Sequence, residues 1–259
     1  VLGSLLASCV PSTTGTLLLP MGMLARFVVT RQALADRISW AGSLTMGLFS
    51  SVLVLTLLRD VLLLIVRFAG SLPSFATQSA IGVLVVALLL TLIGYVNARR
   101  VARVVRIDIP LAGLPTSLAG FTIAQISDIH VGPTIKGDYV SAIVERVNSL
   151  DADLIAITGD VVDGSVHQLS SHTAPLAKLA ARHGAFVVTG NHEYYSGAEA
   201  WMAEFERLGL RILTNEHVVI EHDDGARLVL AGVTDYSAHA FDPALRSDPH
   251  VALSGSPDG

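Results

Sequence analysis

The chain of 259 residues is 51% hydrophobic and only 15% charged, with a mean hydropathy of +0.58. Soluble domains carry about 25% charged residues, so part of this chain belongs in lipid. The formal net charge of -5 includes an arginine-rich apolar flank; the remainder is therefore acidic, which excludes a nucleic-acid partner held on a basic face. A single cysteine, Cys9, excludes a disulfide framework and fits a reducing compartment.

Residues 1–29 are apolar but contain Pro11 and Pro20, and they read as a third span or the remnant of one. They lack the basic start and small-residue cleavage site of a signal peptide. Residues 41–58 and 80–96 are uncharged and predict two transmembrane helices, at the short end of the roughly 20 residues that cross a bilayer core. The alternative is a buried helical hairpin in a soluble core. The adjacent pair Arg59-Asp60 is read as a helix end at the headgroups, in preference to a site inside the membrane facing another helix. Arg26, Arg31 and Arg37 precede the spans, Arg67 lies between them, and Arg99, Arg100, Arg103 and Arg106 follow. Two spans place the first and last groups on one side, which the positive-inside rule makes cytoplasmic. The expectation is a multi-pass protein of the inner, or cell, membrane with its globular part in the cytoplasm.

Three segments follow from this division: a membrane region over residues 1–98, a basic linker and first strand over 99–120, and a globular domain over 121–259. From about Val101 onward some 155 residues are available, enough to bury a core. Residues 121–126, 154–158 and 186–189 predict strands; residues 137–150, with Val140, Ile143, Val144 and Val147 at helical spacing, predict a helix, as do 169–182 and 198–208. Near-continuous apolar strands imply a sheet covered on both faces. Residues 217–221 and 226–231 flank the turn signal Asp223-Asp224-Gly225 and predict an antiparallel hairpin. The fold class is α/β, with sheets sandwiched between helices.

Each predicted strand of the first three ends in a polar motif, and ligands collect beyond the carboxyl ends of strands in such architectures. Asp128 and His130 are two apart, so on an extended chain they point to one side and grip one ion. Asp160 follows Gly159 at a tight strand exit, where one carboxylate can bridge two cations. Asn191 offers an amide oxygen, and His192 beside it aims an imidazole at the substrate. Each residue alone reads as a turn former, a helix cap or a structural histidine. Three successive strand ends carrying such groups point instead to a two-metal phosphoester site.

The motifs Ser127-Asp128-Ile129-His130, Thr158-Gly159-Asp160-Val161-Val162-Asp163 and Thr189-Gly190-Asn191-His192-Glu193 resemble the opening motifs of the calcineurin-like metallophosphoesterases. With Leu114-Pro115 before and Tyr194-Tyr195-Ser196-Gly197 after, the chain is similar over about residues 107–236 to a bacterial branch carrying N-terminal membrane helices. The resemblance implies a four-layered α/β/β/α sandwich and two divalent metal ions, which these ligand types leave as Mn, Fe or Zn. It gives Asp128 and His130 to the first metal, Asp160 to both as a bridge, and Asn191 to the second. His192 becomes the catalytic residue that stabilises phosphoryl charge or protonates the leaving oxygen, and a metal-bridging hydroxide becomes the nucleophile. Asp163 and Glu193 support these groups without being ligands.

The family also supplies later histidines, including a Gly-His-x-His motif. His239 and His250 lack that context and read as surface residues. The expectation is therefore a partial sandwich, a chain truncated at both ends, which binds metal poorly and hydrolyses little. The function that follows is a membrane-anchored phosphoesterase acting on a phosphomonoester, phosphodiester or pyrophosphate, with a lipid-linked ester suggested by location. The alternative is a non-catalytic membrane protein with a degenerate phosphoesterase-like binding domain.

Overall fold

Long uncharged runs without proline leave backbone hydrogen bonding no outlet but the helix itself. The computed structural model describes residues 32–69, 73–222 and 224–257, so the span anticipated within residues 1–29 lies outside the described residues. The chain divides between Arg100 and Val101 into two compact units. In the first, α1 (Gln32–Ala69) and α2 (Pro73–Ala98) pack along each other. Both are long and apolar enough to cross a membrane. Leu57, Leu58, Ile81 and Leu88 point outward, while the small Ala35 and Ala87 are buried. A helix apolar all round suits a lipid surround. The hydroxyls of Thr45, Ser51 and Thr91 donate to the carbonyls of Ala41, Gly47 and Ala87, which satisfies these donors within their own helices.

The helix end expected at Arg59-Asp60 does not occur. Val61 and the leucines after it continue α1, because no glycine or proline interrupts them and the guanidinium finds its partners elsewhere. Arg59 Nε donates to Ser79 Oγ at 3.0 Å, Nη2 to the Ala76 carbonyl at 2.8 Å and Nη1 to Asp60 Oδ1 at 3.0 Å, so Arg59 joins the two helices. Toward the opposite end Trp40 meets Tyr95 edge-on at 5.2 Å, and the Arg99 guanidinium lies 5.8 Å from the Trp40 ring. From Trp40 to Arg59 the helix rises about 28 Å, close to the thickness of a hydrocarbon core.

In the second unit, β1 (Ile123–Ile126), β2 (Leu154–Ile157), β3 (Ala185–Val187) and β4 (Arg211–Ile212) form a parallel sheet in that order. Ile123 pairs with Leu154, Ile155 with Ala185 and Phe186 with Arg211. Because strand side chains alternate, Ile155, Ile157 and Val187 face one core and Leu154 and Phe186 another. The first core is closed by α3 (Gly137–Asn148), α4 (Val166–Thr173) and α6 (Ala198–Arg207), through Val140, Val144, Leu169, Trp201 and Phe205. The second is closed by the antiparallel hairpin β5 (Glu216–Glu221) and β6 (Arg227–Gly232), through Val218 and Ile220. On the outer side of that hairpin, His217 Nδ1 lies 2.8 Å from the carbonyl of Ala252 in the one-turn helix α7 (Pro249–Ala252). The layers run helix, parallel sheet and hairpin, with the one-turn α7 against the hairpin, a mixed α/β sandwich.

Three expectations need correction. The helix predicted over 169–182 starts earlier, at the Ser165–Gln168 capping box, and ends at Thr173; a 3₁₀ stretch, Ala174–Lys178, follows because Pro175 has no N–H to donate. Strand β4 went unanticipated, being too short to show a period. The first strand expected within residues 99–120 does not form among the described residues: Val105, Ile107 and Ile109 alternate as a strand would but stay exposed.

Candidate metal centre

Parallel pairing continues past the ends of β1 and β2, and this aligns the first two motifs. Asp128 N donates to the Gly159 carbonyl at 3.2 Å, His130 N to the Asp160 carbonyl at 3.0 Å, and Val131 N to the Val161 carbonyl at 2.7 Å. To follow that path Asp128, His130 and Asp160 take left-handed backbone conformations, with φ of 57°, 51° and 53°. The motif is thus not extended as the spacing suggested; alternate left-handed residues bring Asp128 and His130 together by a different route. Side chains rarely tolerate this region, and such strain collects at functional sites.

The third motif forms the start of α5 (Asn191–Ser196), whose N-terminus presents its amides to the second loop. His192 N donates to Asp160 Oδ1 at 3.0 Å. Gly159 and Gly190 touch: a Cβ on Gly159 would lie against the Gly190 amide, and one on Gly190 against the Asp160 carboxylate. The sequence reading assigned Gly159 a turn and missed the reason for Gly190. The signal was the repeated Thr-Gly that ends both apolar runs.

Glu193 locks the two loops. It is fully buried, and its carboxylate accepts from the amides of Gly190 at 2.8 Å, Asp160 at 2.9 Å, Val161 at 2.8 Å and Val162 at 3.3 Å. Burial pushes the Glu193 carboxyl up from its ordinary pKa, opposed by those donors and aided by the nearby Asp160 charge.

At the centre, ligand atoms of His130, Asp160 and His192 all lie within 4.8 Å of one another. Asp163 Oδ1 sits 3.2 Å from His130 Nδ1 and 2.5 Å from His192 Nδ1, so one carboxylate orients both imidazoles. That leaves Nε2 of each ring for a ligand or substrate. The Asn191 side-chain amide lies against the Asp160 carboxylate; with its nitrogen on that side it donates to Oδ1 at 3.0 Å and Oδ2 at 3.1 Å. The imidazoles of His130 and His192 and the Asp160 carboxylate, all within 4.8 Å of one another, are the donor types that hold a divalent cation, so the donor set fits a metal. Asp128 stands apart from the cluster. Its side chain is 65% exposed, 3.8 Å from His130 Nε2, and it accepts from Ser127 Oγ. His239 and His250 are exposed and away from this cluster, as expected of surface residues.

Comparison with known families matches residues 121–247 to the calcineurin-like phosphoesterase model. Those residues form a calcineurin-like phosphoesterase domain. The chain is 35% identical over 176 residues to a zebrafish (Danio rerio) "transmembrane protein with metallophosphoesterase domain", covering 66% of this chain and 40% of that protein. It is 36% identical over 203 residues to the bovine (Bos taurus) protein of the same name, covering 74% and 46%. An "uncharacterized metallophosphoesterase" of Helicobacter pylori is 39% identical over 146 residues, covering 52% and 38%. The chain therefore spans less than half the length of these relatives. The 74% shared with the bovine protein exceeds what the phosphoesterase unit alone could supply, so the similarity reaches into the apolar helices. No solved structure gives a significant match.

Proposed function

We propose that the chain is a membrane-anchored, divalent-metal-dependent phosphoesterase that hydrolyses a phosphomonoester, phosphodiester or pyrophosphate. The observation that carries this reading is the convergence of His130, Asp160 and His192, with the Asn191 amide beside Asp160. Two cations are assigned, Mn, Fe or Zn: Asp128 and His130 would hold the first, Asp160 both, and Asn191 the second. Such ions supply Lewis-acid stabilisation of phosphoryl charge and lower the pKa of water.

The chain's own residues do the rest. Asp163 holds the Nδ1–H of His192, so that in the doubly protonated imidazolium form Nε2–H donates to a phosphoryl oxygen or protonates the departing one. Asp163 also holds Nδ1 of His130, which directs that Nε2 toward a ligand role. Glu193 keeps the Asp160 loop against α5, so the distances survive thermal motion. The two apolar helices support anchoring in the bilayer, and anchoring favours amphipathic, lipid-linked esters within reach of the site.

The test combines metal analysis with hydrolysis of bis(p-nitrophenyl) phosphate in added Mn²⁺, with Asp160→Asn as the comparison. The full-length wild-type protein should bind divalent metal and turn over the ester, and the variant made in it should lose at least 100-fold of that rate, as for removal of a group central to catalysis. Equal rates in the two proteins would overturn the bridging assignment. Neither metal nor turnover in the wild type would leave the non-catalytic binding domain as the reading.

A further inference from the structure

Tyr195 and Phe241 are 66% and 49% exposed and lie against each other, and nothing in the catalytic scheme uses them. They belong to a continuous series of rings that begins at the metal cluster. His130 meets His192 edge-on at 4.5 Å; His192 meets Tyr195 at 5.7 Å and 77°; Tyr195 meets Phe241 at 5.5 Å and 67°. Phe241 in turn lies nearly flat on Tyr194, 5.5 Å away at 29°.

The far end of the series is held firmly. Tyr194 is buried, and its hydroxyl bonds Thr189 Oγ1 at 2.9 Å, at the start of the third motif. Phe241 closes a 3₁₀ turn, its amide donating to the carbonyl of the buried Ala238 at 3.0 Å. Tyr195 is fixed by α5, which ends one residue later as Gly197 turns left-handed. The two exposed rings thus form a preset corner.

We propose that Tyr195 and Phe241 form a subsite for a flat, unsaturated ring carried by the phosphoester. The position follows from continuity: a phosphoryl group in contact with His192 places its ester substituent one ring-width further out, at Tyr195. The chemistry follows from the angle. Rings set at 67° offer a face and an edge together, and a planar π-system satisfies both at once by stacking on one and meeting the other in a T. A saturated group of the same size gains contact area but neither electrostatic term. This inference rests on the phosphoesterase reading and is indifferent to whether the ester is lipid-linked.

Three non-hydrolysable probes test it on the Mn²⁺-loaded full chain by calorimetry: methylphosphonate, phenylphosphonate and cyclohexylphosphonate. Phenylphosphonate should bind about three- to tenfold tighter than cyclohexylphosphonate, the range of a favourable aromatic pair. That ratio should collapse to about one in Tyr195→Ala and Phe241→Ala and survive in Phe241→Tyr. Reading a ratio cancels any loss at the phosphoryl centre common to both ligands. Equal binding of the two rings in the wild type, or a ratio unchanged by both alanine variants, overturns the subsite. Failure of all three phosphonates to bind would instead overturn the phosphoesterase reading on which the subsite stands.

Discussion

Gly190 carries a constraint that its neighbours create. Its backbone is extended, with φ of -94°, so no conformational argument requires glycine there. What requires it is the Asp160 loop, whose amide nitrogen would sit 2.6 Å from an added Cβ and whose carboxylate would sit closer still. Neither atom can yield cheaply: the nitrogen donates to Glu193, and the carboxylate accepts from His192 N. Gly190→Ala should therefore displace the Asp160 carboxylate and weaken Mn²⁺ binding by about 10- to 100-fold, the usual cost of disturbing the groups that hold a ligand. A calorimetric Mn²⁺ titration with wild-type affinity in the variant would refute this. At this scale the sequence named the candidate ligands but not how they meet. Asp128, His130 and Asp160 adopt left-handed backbones because the two loops zip together in parallel, a tertiary fact with no local signature. The family resemblance gives Asp163 a supporting role; that it serves two imidazoles at once is visible only in the fold.

Elements were legible in proportion to their length and period. Helix α3, with Val140, Val144 and Val147 on one face, lies within two residues of its expected end, and the hairpin turns where Asp224-Gly225 signals it. Two-residue β4 offered no period to read, and the 169–182 expectation let apolar spacing override Pro175. Among these elements α6 matters most to the site, through Trp201. The indole is fully buried, stacks obliquely on Phe205 at 5.4 Å, and donates from Nε1 to the Gly164 carbonyl at 2.9 Å. Gly164 directly follows Asp163, so one side chain ties the helical layer to the loop that orients both histidines. Trp201→Ala should cost about 3–5 kcal/mol of stability, and Trp201→Phe less, since it keeps most of the volume and loses about 1 kcal/mol for the hydrogen bond. Urea unfolding checks the order. An alanine variant no less stable than the phenylalanine one would show that the indole does not tie these layers.

For the whole molecule, the composition of the first hundred residues asks for lipid, and the helices answer with matched ends. Trp40, Tyr95 and Arg99 cluster at one level, and Arg59 with Ser79 at the other, about 28 Å along α1. Aromatic rings and arginines at the headgroups, with hydroxyls folded back on carbonyls between them, are what a spanning hairpin requires. The arginine count assigns its sides. Arg31, Arg37, Arg99, Arg100 and Arg103 flank the Trp40 end, against Arg67 alone beyond Arg59, so the Trp40 end and the phosphoesterase domain should face the cytoplasm. With Cys9 replaced by serine, single cysteines at Ser71 and Ser254 test this in intact cells. A membrane-impermeant maleimide should label Ser71→Cys from outside and Ser254→Cys only after permeabilisation. The reverse pattern would invert the orientation. Labelling of both before permeabilisation would mean that the helices do not separate these positions across a bilayer, and the roughly 28 Å spacing of the polar ends would then need another cause.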